Sequence, residues 1–116
     1  MTNSPREQKA MELDDQGRRL LQEGRLEEAI ACFRQAWEEA GLTAARNNWA
    51  TALYFHGKPD EALHVLEPLL DAALIHPFSH ALASRCHSAL GDTKKAREHL
   101  RKAIRDFDAC RFRLHN

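Results

Sequence analysis

Residues 24–33 read GRLEEAIACF, and the same phrase returns as GKPDEALHVL at residues 57–66 and as GDTKKAREHL at residues 91–100. The glycines that open the three segments are 33 and 34 residues apart. An alanine follows each glycine after five residues and a large apolar residue after nine, with further apolar residues after twelve and thirteen. This spacing puts the apolar side chains on one face of a helix. The chain therefore repeats one helical unit three times.

Each unit predicts two helices joined by a tight turn. A glycine tolerates the positive φ that ends a helix, and Pro59 suits a first helical position. Ser4 can cap the first helix, with Glu7 closing a capping box. Pro68 should bend the fourth helix, because it removes a backbone hydrogen bond. We see no strand pattern, and the predicted all-α chain has helices at 5–22, 25–40, 43–56, 59–74, 77–90 and 93–109.

The period and the A-x3-F spacing, as in Ala29 and Phe33, resemble the tetratricopeptide repeat. The resemblance implies a right-handed superhelical stack of three helix–turn–helix units, with six antiparallel helices. The implied boundaries are a single domain over 1–116, repeats at about 10–42, 43–76 and 77–110, and flexible ends at 1–4 and 111–116.

The last helix contains KKAREHLRKAIRDF at residues 94–107, which is rich in charge. We expect its apolar stripe to face the core and its outer face to be charged, because no further unit stacks there. That stripe consists of Ala96, Leu100, Ala103, Ile104 and Phe107. Basic and aromatic residues together could suit RNA, but acidic residues are interleaved here, which argues against nucleic acid as a partner.

Composition is that of a globular protein without a net charge. Of 116 residues, 43% are hydrophobic and 29% are charged, and the formal net charge is zero, which favours neither nucleic acid nor an anionic membrane. The N-terminal MTNSPREQK has no apolar run, so neither a secretory signal nor a membrane span is predicted. Three cysteines without a CxxC pair fit a reducing compartment. We therefore predict a cytoplasmic protein.

The charge is nevertheless unevenly distributed along the chain. Residues 1–43 carry six Lys and Arg against nine Asp and Glu, and residues 44–76 carry two against four. Residues 77–116 carry nine against four. This gradient describes two solvated faces of opposite sign, or it allows head-to-tail self-association between an acidic and a basic end.

The sequence offers little for catalysis. It has no phosphate-binding glycine loop, no HExxH and no GxSxG, and we predict neither an enzyme nor a bound cofactor. His76, His80 and His87 lie on one side of a predicted helix, with Cys86 and His56 within possible reach, and are weak candidates for binding zinc or copper. The alternative is that they fill the core, since His80 and His87 stand where the resembled family has large aromatic residues.

Cysteine reactivity offers a second, smaller candidate. Cys32 and Cys86 are expected to pack in the core, and Cys110, in the tail CRFRLHN, is expected to be an exposed thiol that could pair or be oxidised.

The resemblance implies that the first helices of the units line a concave groove that binds extended peptides or partner helices. Asparagine amides can bond a peptide backbone, arginines can hold a carboxylate, and aromatic rings can anchor apolar side chains. The alternative is that these are ordinary surface residues. The expected groove residues are Asp14, Arg18, Gln22, Asn47, Asn48, Thr51, Tyr54, Phe55, Phe78, Ala81 and Arg85.

One subtype of the family clamps the C-terminal carboxylate of heat-shock chaperones with lysines, asparagines and an arginine. Of the matching positions only Asn48 agrees. The others hold Asp14 and Arg18 in the first unit, and Phe78 and Leu82 in the third. The clamp is therefore incomplete, and chaperone-tail binding is disfavoured.

Three functions remain open from the sequence. The first is a non-catalytic scaffold or adaptor that binds an unidentified protein or peptide in the groove. The second is a structural protein that assembles into a homo-oligomer through its oppositely charged ends. The third is a metal-binding protein that uses its histidines.

Overall fold

The computed structural model describes residues 4–71 and 76–115, with side chains described as far as Arg111. Within these residues the chain is entirely helical, and one short 3-10 helix, Glu67–Leu69, interrupts the sequence of α-helices. The six α-helices are α1 Pro5–Gln22, α2 Leu26–Ala40, α3 Thr43–Phe55, α4 Pro59–Leu66, α5 Pro77–Ala89 and α6 Thr93–His115.

The helices form three successive pairs, α1 with α2, α3 with α4 and α5 with α6. Each pair also packs on the next, because α2 contacts α3 and α4 contacts α5. The first helices of neighbouring pairs touch directly, α1 with α3 and α3 with α5. This is the stack of three helix–turn–helix units that the sequence predicts.

Local signals in the sequence explain the helix starts and turns. The Ser4 side chain accepts a hydrogen bond from the Glu7 backbone N–H at 3.2 Å, and Pro5 opens α1. The turns inside the three units have a glycine at φ 78°, 77° and 82°, a region that costs other residues about 1 kcal/mol or more. The glycine turns and the Ser4 cap are confirmed, while the Glu7 carboxylate accepts from the Ser4 hydroxyl at 3.2 Å where the capping box would use the Ser4 backbone N–H.

The two helices of the first unit approach closely at Gly17. An added Cβ at this glycine would lie 2.5 Å from Cε1 and 2.7 Å from Cδ1 of Phe33, and the Phe33 ring is fully buried. The central core lies between the second and third units, where Leu53, Leu66 and Cys86 belong to one buried cluster.

The fourth helix differs from its prediction over 59–74. It ends at Leu66 instead of bending, and Pro68 lies in the 3-10 turn that follows. The reason is that a proline lacks an N–H and its ring clashes with the carbonyl four residues earlier. Residues 72–75 of the predicted helix lie outside the described residues.

The last helix is longer than predicted. It continues to His115 instead of stopping at 109, so the backbone of 111–115 is helical where a flexible end was expected. Nothing in CRFRLHN breaks a helix, since the segment has no glycine or proline. At the other end, residues 1–3 lie outside the described part, and Ser4 is a helix cap.

The buried face of α6 is also not the predicted one. Ala96 and Ala103 are buried as expected, but Leu100, Ile104 and Phe107 are 49%, 54% and 42% exposed. Asp106 is buried instead. The helix turns its alanines and His99 toward α5, because the close approach of α5 leaves room only for small side chains and stacked rings.

Candidate binding groove

The first helices of the three units line a cleft of about 580 Å³. Its walls bring together five of the predicted groove residues with two others. They are Asp14, Arg18, Asn47, Asn48 and Phe78, joined by Ala44 and His76.

A hydrogen bond between units forms the α1 side of the cleft. The Asn48 side-chain amide donates to Oδ1 of Asp14 at 2.9 Å, and this bond joins α3 to α1. The Asp14 carboxylate is only 7% exposed. Its Oδ2 lies 3.5 Å from Nε of Arg18, and that guanidinium also contacts the carboxylate of Asp15. The Arg18 charge is therefore already balanced by carboxylates.

The α5 side of the cleft is held by a second polar chain. The Ser79 hydroxyl donates to Oδ1 of Asn47 at 2.9 Å and lies 2.6 Å from Nδ1 of His76. Burial lowers the pKa of His76. The Thr51 hydroxyl donates to the backbone carbonyl of Asn47 at 2.9 Å, so this hydrogen bond stays within α3. The side-chain oxygen and the backbone carbonyl of Asn47 therefore both accept hydrogen bonds. Its side-chain amide N–H groups donate to no described residue.

Aromatic rings flank the cleft. Phe78 is 63% exposed and meets Phe107 edge to face, with ring centroids 5.2 Å apart. Tyr54 is half-buried against the central core, with its ring 5.6 Å from that of Phe55. Phe55 is 58% exposed but does not line the cleft.

The remaining predicted groove residues lie outside this cleft. Gln22 and Arg85 are exposed, and Ala81 is half-buried. Like Thr51, Tyr54 and Phe55, they are not among the residues that line it. The predicted surface is therefore a compact polar cleft with separate aromatic and basic positions beyond it.

A larger cleft of about 680 Å³ lies on the other side of the stack, between α2 and α4. Trp49 and Leu53 of α3 contribute to it, and Ile30 and Val65 add apolar surface. The sequence analysis missed this cleft. Trp49 could have revealed it, because a tryptophan that lies between two units and is placed in neither the core nor the groove indicates a surface site.

Arg46 connects the helices on this side of the stack. Its guanidinium lies 4.7 Å from the Trp37 ring and 5.4 Å from the Trp49 ring, within the range of cation–π attraction. Its Nε donates to the backbone carbonyl of Val65 at 2.7 Å. A single arginine therefore joins α2, α3 and α4.

The histidines pack together between α5 and α6. His99 stacks between His80 and His87, with ring centroids 5.3 Å and 5.2 Å apart. The Nδ1 atoms of His80 and His99 are 3.1 Å apart. His80 is 1% exposed, and its buried Nε2 has no hydrogen-bond partner among the described residues, although Oδ2 of Asp106 is 3.9 Å away.

Burial governs the proton affinity of this stack. It lowers the pKa of His80, and burial together with His80, His87 and Lys102 lowers the pKa of His99 to about 4. No group of three or more His, Cys, Asp or Glu within the described residues is arranged to hold a metal ion. His76 bonds Ser79 and its backbone N–H donates to Asp106 at 3.2 Å, away from the stack. His80 and His87 therefore pack against His99, and metal binding by His76, His80 and His87 stays a prediction.

The cysteines differ in burial. Burial raises the pKa of the Cys86 thiol to about 11 and, with Glu28, raises that of half-buried Cys32. Cys110, expected to be exposed, is half-buried on α6. All three are free thiols in the described structure.

The repeat pattern, the paired helices and the groove between their first helices agree with sequence comparison. Models of the tetratricopeptide repeat match residues 47–110 and residues 16–40, and the first of these spans more than half of the chain. The chain belongs to the tetratricopeptide-repeat family.

A tetratricopeptide-repeat structure also superposes well on this one. The first such domain of Spaghetti (RPAP3), solved bound to the HSP90 peptide SRMEEVD, matches with a TM-score of 0.81 at 18% identity. The match covers 86% of this chain and 80% of that one. At this identity the likeness concerns the fold. No curated protein matches the sequence, and no helix within the described residues is long and apolar enough to cross a membrane.

Proposed function

We propose that this tetratricopeptide-repeat protein is a non-catalytic scaffold or adaptor that binds a peptide or partner helix in the groove formed by α1, α3 and α5. The observation that carries the proposal is the 580 Å³ cleft, which joins polar side chains to an exposed aromatic ring. Such a combination suits recognition, because polar groups fix orientation and an exposed ring supplies apolar contact area. A cytosolic setting for this interaction stays a prediction from the sequence.

The chemistry of the cleft favours a segment that donates hydrogen bonds over one that ends in a carboxylate. Arg18 is balanced by Asp14 and Asp15, and Asn48 donates to Asp14. A carboxylate brought here would meet an already occupied cation and a buried negative charge. The RPAP3 domain is seen with an HSP90 peptide, but we propose that this chain binds an internal peptide segment instead.

The test is peptide selection followed by nuclear magnetic resonance. Peptides selected on the native chain would be titrated into ¹⁵N-labelled protein. Groove binding should shift the side-chain amide signals of Asn47 and Asn48 and leave the indole signal of Trp49 unchanged. Shifts confined to Trp49, which lines the outer cleft, would contradict the proposal.

Two matched variants sharpen the experiment. Phe78→Ala removes a ring that lines the cleft, and Phe55→Ala removes an equally exposed ring that does not. Loss of binding only in Phe78→Ala supports a compact site. Equal loss in both variants would extend the site along the full groove, and unchanged binding in both would argue against the groove.

A further inference from the structure

Helix α6 exposes a continuous apolar strip. We use the name C-terminal strip for Leu100, Ile104 and Phe107, together with Phe78 of α5. All four side chains are between 42% and 63% exposed. The α6 residues are spaced by four and then three positions, so they lie along one side of the helix over about 10 Å. Contact between Phe107 and Phe78, at 5.2 Å, extends the strip onto α5.

The strip is bordered by uncompensated positive charge. Arg97 and Arg101 lie beside it on the helical wheel, and neither guanidinium has a carboxylate partner among the described residues. Asp108, the exposed acidic residue on this edge, lies seven positions beyond Arg101 and pairs with Arg111 at 3.4 Å. Exposed apolar surface rimmed by polar residues is typical of an interaction site, and the two unpaired arginines make this rim positive on balance.

We propose that the C-terminal strip binds an amphipathic helix of another protein, with acidic residues flanking its apolar face. The apolar side chains would pack into the strip at helical spacing, and the acidic flanks would meet Arg97 and Arg101. Apart from Phe78, this surface is separate from the groove assigned above, so the two sites can be tested independently.

A second copy of the chain fits the strip less well. Two strips packed antiparallel would place the same basic edge of each α6 against the other, which costs energy. The N-terminal helix of another copy has acidic residues at Glu7, Glu12 and Asp15, but Met11 is the single large apolar side chain that α1 exposes within its described length. It would leave most of the strip uncovered.

The experiment uses two fluorescent helical peptides of about 18 residues, or roughly 27 Å. Both carry leucines at alternating intervals of three and four residues, one with glutamates and the other with lysines on the flanks. Fluorescence anisotropy against the full chain should show binding of the acidic peptide and none of the basic one. Equal binding of both peptides, or of neither, would overturn the proposal.

Two variants locate the contact. Leu100→Gln/Ile104→Gln removes apolar surface and Arg97→Glu/Arg101→Glu reverses the basic edge, and each should weaken binding by about tenfold or more. All four substituted side chains are exposed, so both variants should keep the melting temperature of the native chain. Lys95→Glu/Lys102→Glu, with the same charge change on the side of α6 opposite to the strip, should keep binding within about twofold. Equal loss in this control would show unspecific attraction and overturn the proposal.

Self-association is the remaining outcome. Sedimentation of the chain alone should show a monomer. A dimer that disappears in Leu100→Gln/Ile104→Gln would assign the strip to a second copy and overturn the proposal. The groove variant Arg18→Glu should leave binding of the acidic peptide unchanged, so failure of the groove assignment and failure of this one would be distinguishable.

Discussion

At the scale of single residues, the Phe33 ring packs directly against Gly17 at the centre of the first unit. The Phe33 ring occupies the position that a Cβ at residue 17 would need. A glycine inside a helix costs about 0.5–1 kcal/mol relative to alanine. The close packing of α1 on α2 offsets that cost, and it explains a residue that helix propensity alone would disfavour.

Gly17→Ala should therefore destabilise the protein in spite of its better helix propensity. Overpacking of a buried ring costs about 1–3 kcal/mol, which exceeds the gain in propensity. Urea unfolding followed by circular dichroism measures the difference. Adding Phe33→Leu to Gly17→Ala should recover part of the loss. A more stable single variant would show that α1 and α2 can separate at little cost.

The hydrogen bond between Asn48 and Asp14 is a second feature at this scale. It joins α1 to α3, and the position of the third unit that corresponds to Asn48 is Leu82, which is buried and apolar. Asp14→Ala should cost about 1–3 kcal/mol, because the Asn48 amide loses its acceptor in a half-buried place.

A double-mutant cycle with Asn48→Ala tests this bond. The coupling between the two positions should be about 1 kcal/mol, measured by urea unfolding. Thr51→Ala, on the same helix but bonded only to its own backbone, should show no coupling to Asp14. Strict additivity of the first pair would mean that the bond contributes nothing to stability.

At the scale of elements, α5 and α6 are joined by a stack of three histidines. Groups around it include His87 and His76 from α5, and Glu98, Lys102, Arg105 and Asp106 from α6. Burial lowers the pKa of His99 to about 4 and lowers that of His80. The unfolded chain therefore holds more protons than the folded one between the ordinary histidine pKa of 6.5 and about 4.

The stack should make stability depend on pH. It contributes fully above pH 6.5, and its contribution should be lost as the pH falls toward 4. The melting temperature at about pH 5.5 should therefore be several degrees lower than at about pH 7.5. Both pH values lie above the ordinary pKa range of carboxylates. His99→Leu should flatten the dependence, while His64→Gln, at an exposed site on α4, should not. An unchanged slope in His99→Leu would exclude the stack as its origin.

Helix α6 shows what a sequence pattern predicts and what it does not. The period of Leu100, Ile104 and Phe107 correctly indicates a helix. It does not say on which side α5 lies, because alanine and histidine can also form a packing face. Similarly, the helix period placed Asn47 and Asn48 on the groove side, while the bonds that tie them to Ser79 and Asp14 depend on distances between units.

At the scale of the whole molecule, each unit packs on the next one along the stack. The third unit rests on the second through Leu82, Ala83 and Cys86. Within the described part of the chain, it also contains a buried histidine nitrogen without a hydrogen-bond partner, and several of its large apolar side chains are exposed. Less apolar burial and an unsatisfied polar atom reduce the free energy that holds this unit in place.

Native-state hydrogen exchange should therefore resolve the third unit from the rest. Amides of α5 and the first half of α6 should open together, at a lower free energy than those of α2 and α3. Lowering the pH from about 7 to about 5.5 should widen the gap, because the histidine stack lies in this unit. One common opening energy for all six helices would contradict this prediction.

Arg46 and its two ring contacts have a consequence for spectroscopy. Trp37 and Trp49 are the two tryptophans of the chain, and both lie beside this arginine at the junction of the first and second units. Intrinsic tryptophan fluorescence therefore reports mainly on that junction, since α5 and α6 contain no tryptophan. If the third unit opens first, the ellipticity of the helices will decline before the emission of the indoles changes, and the two unfolding curves will separate.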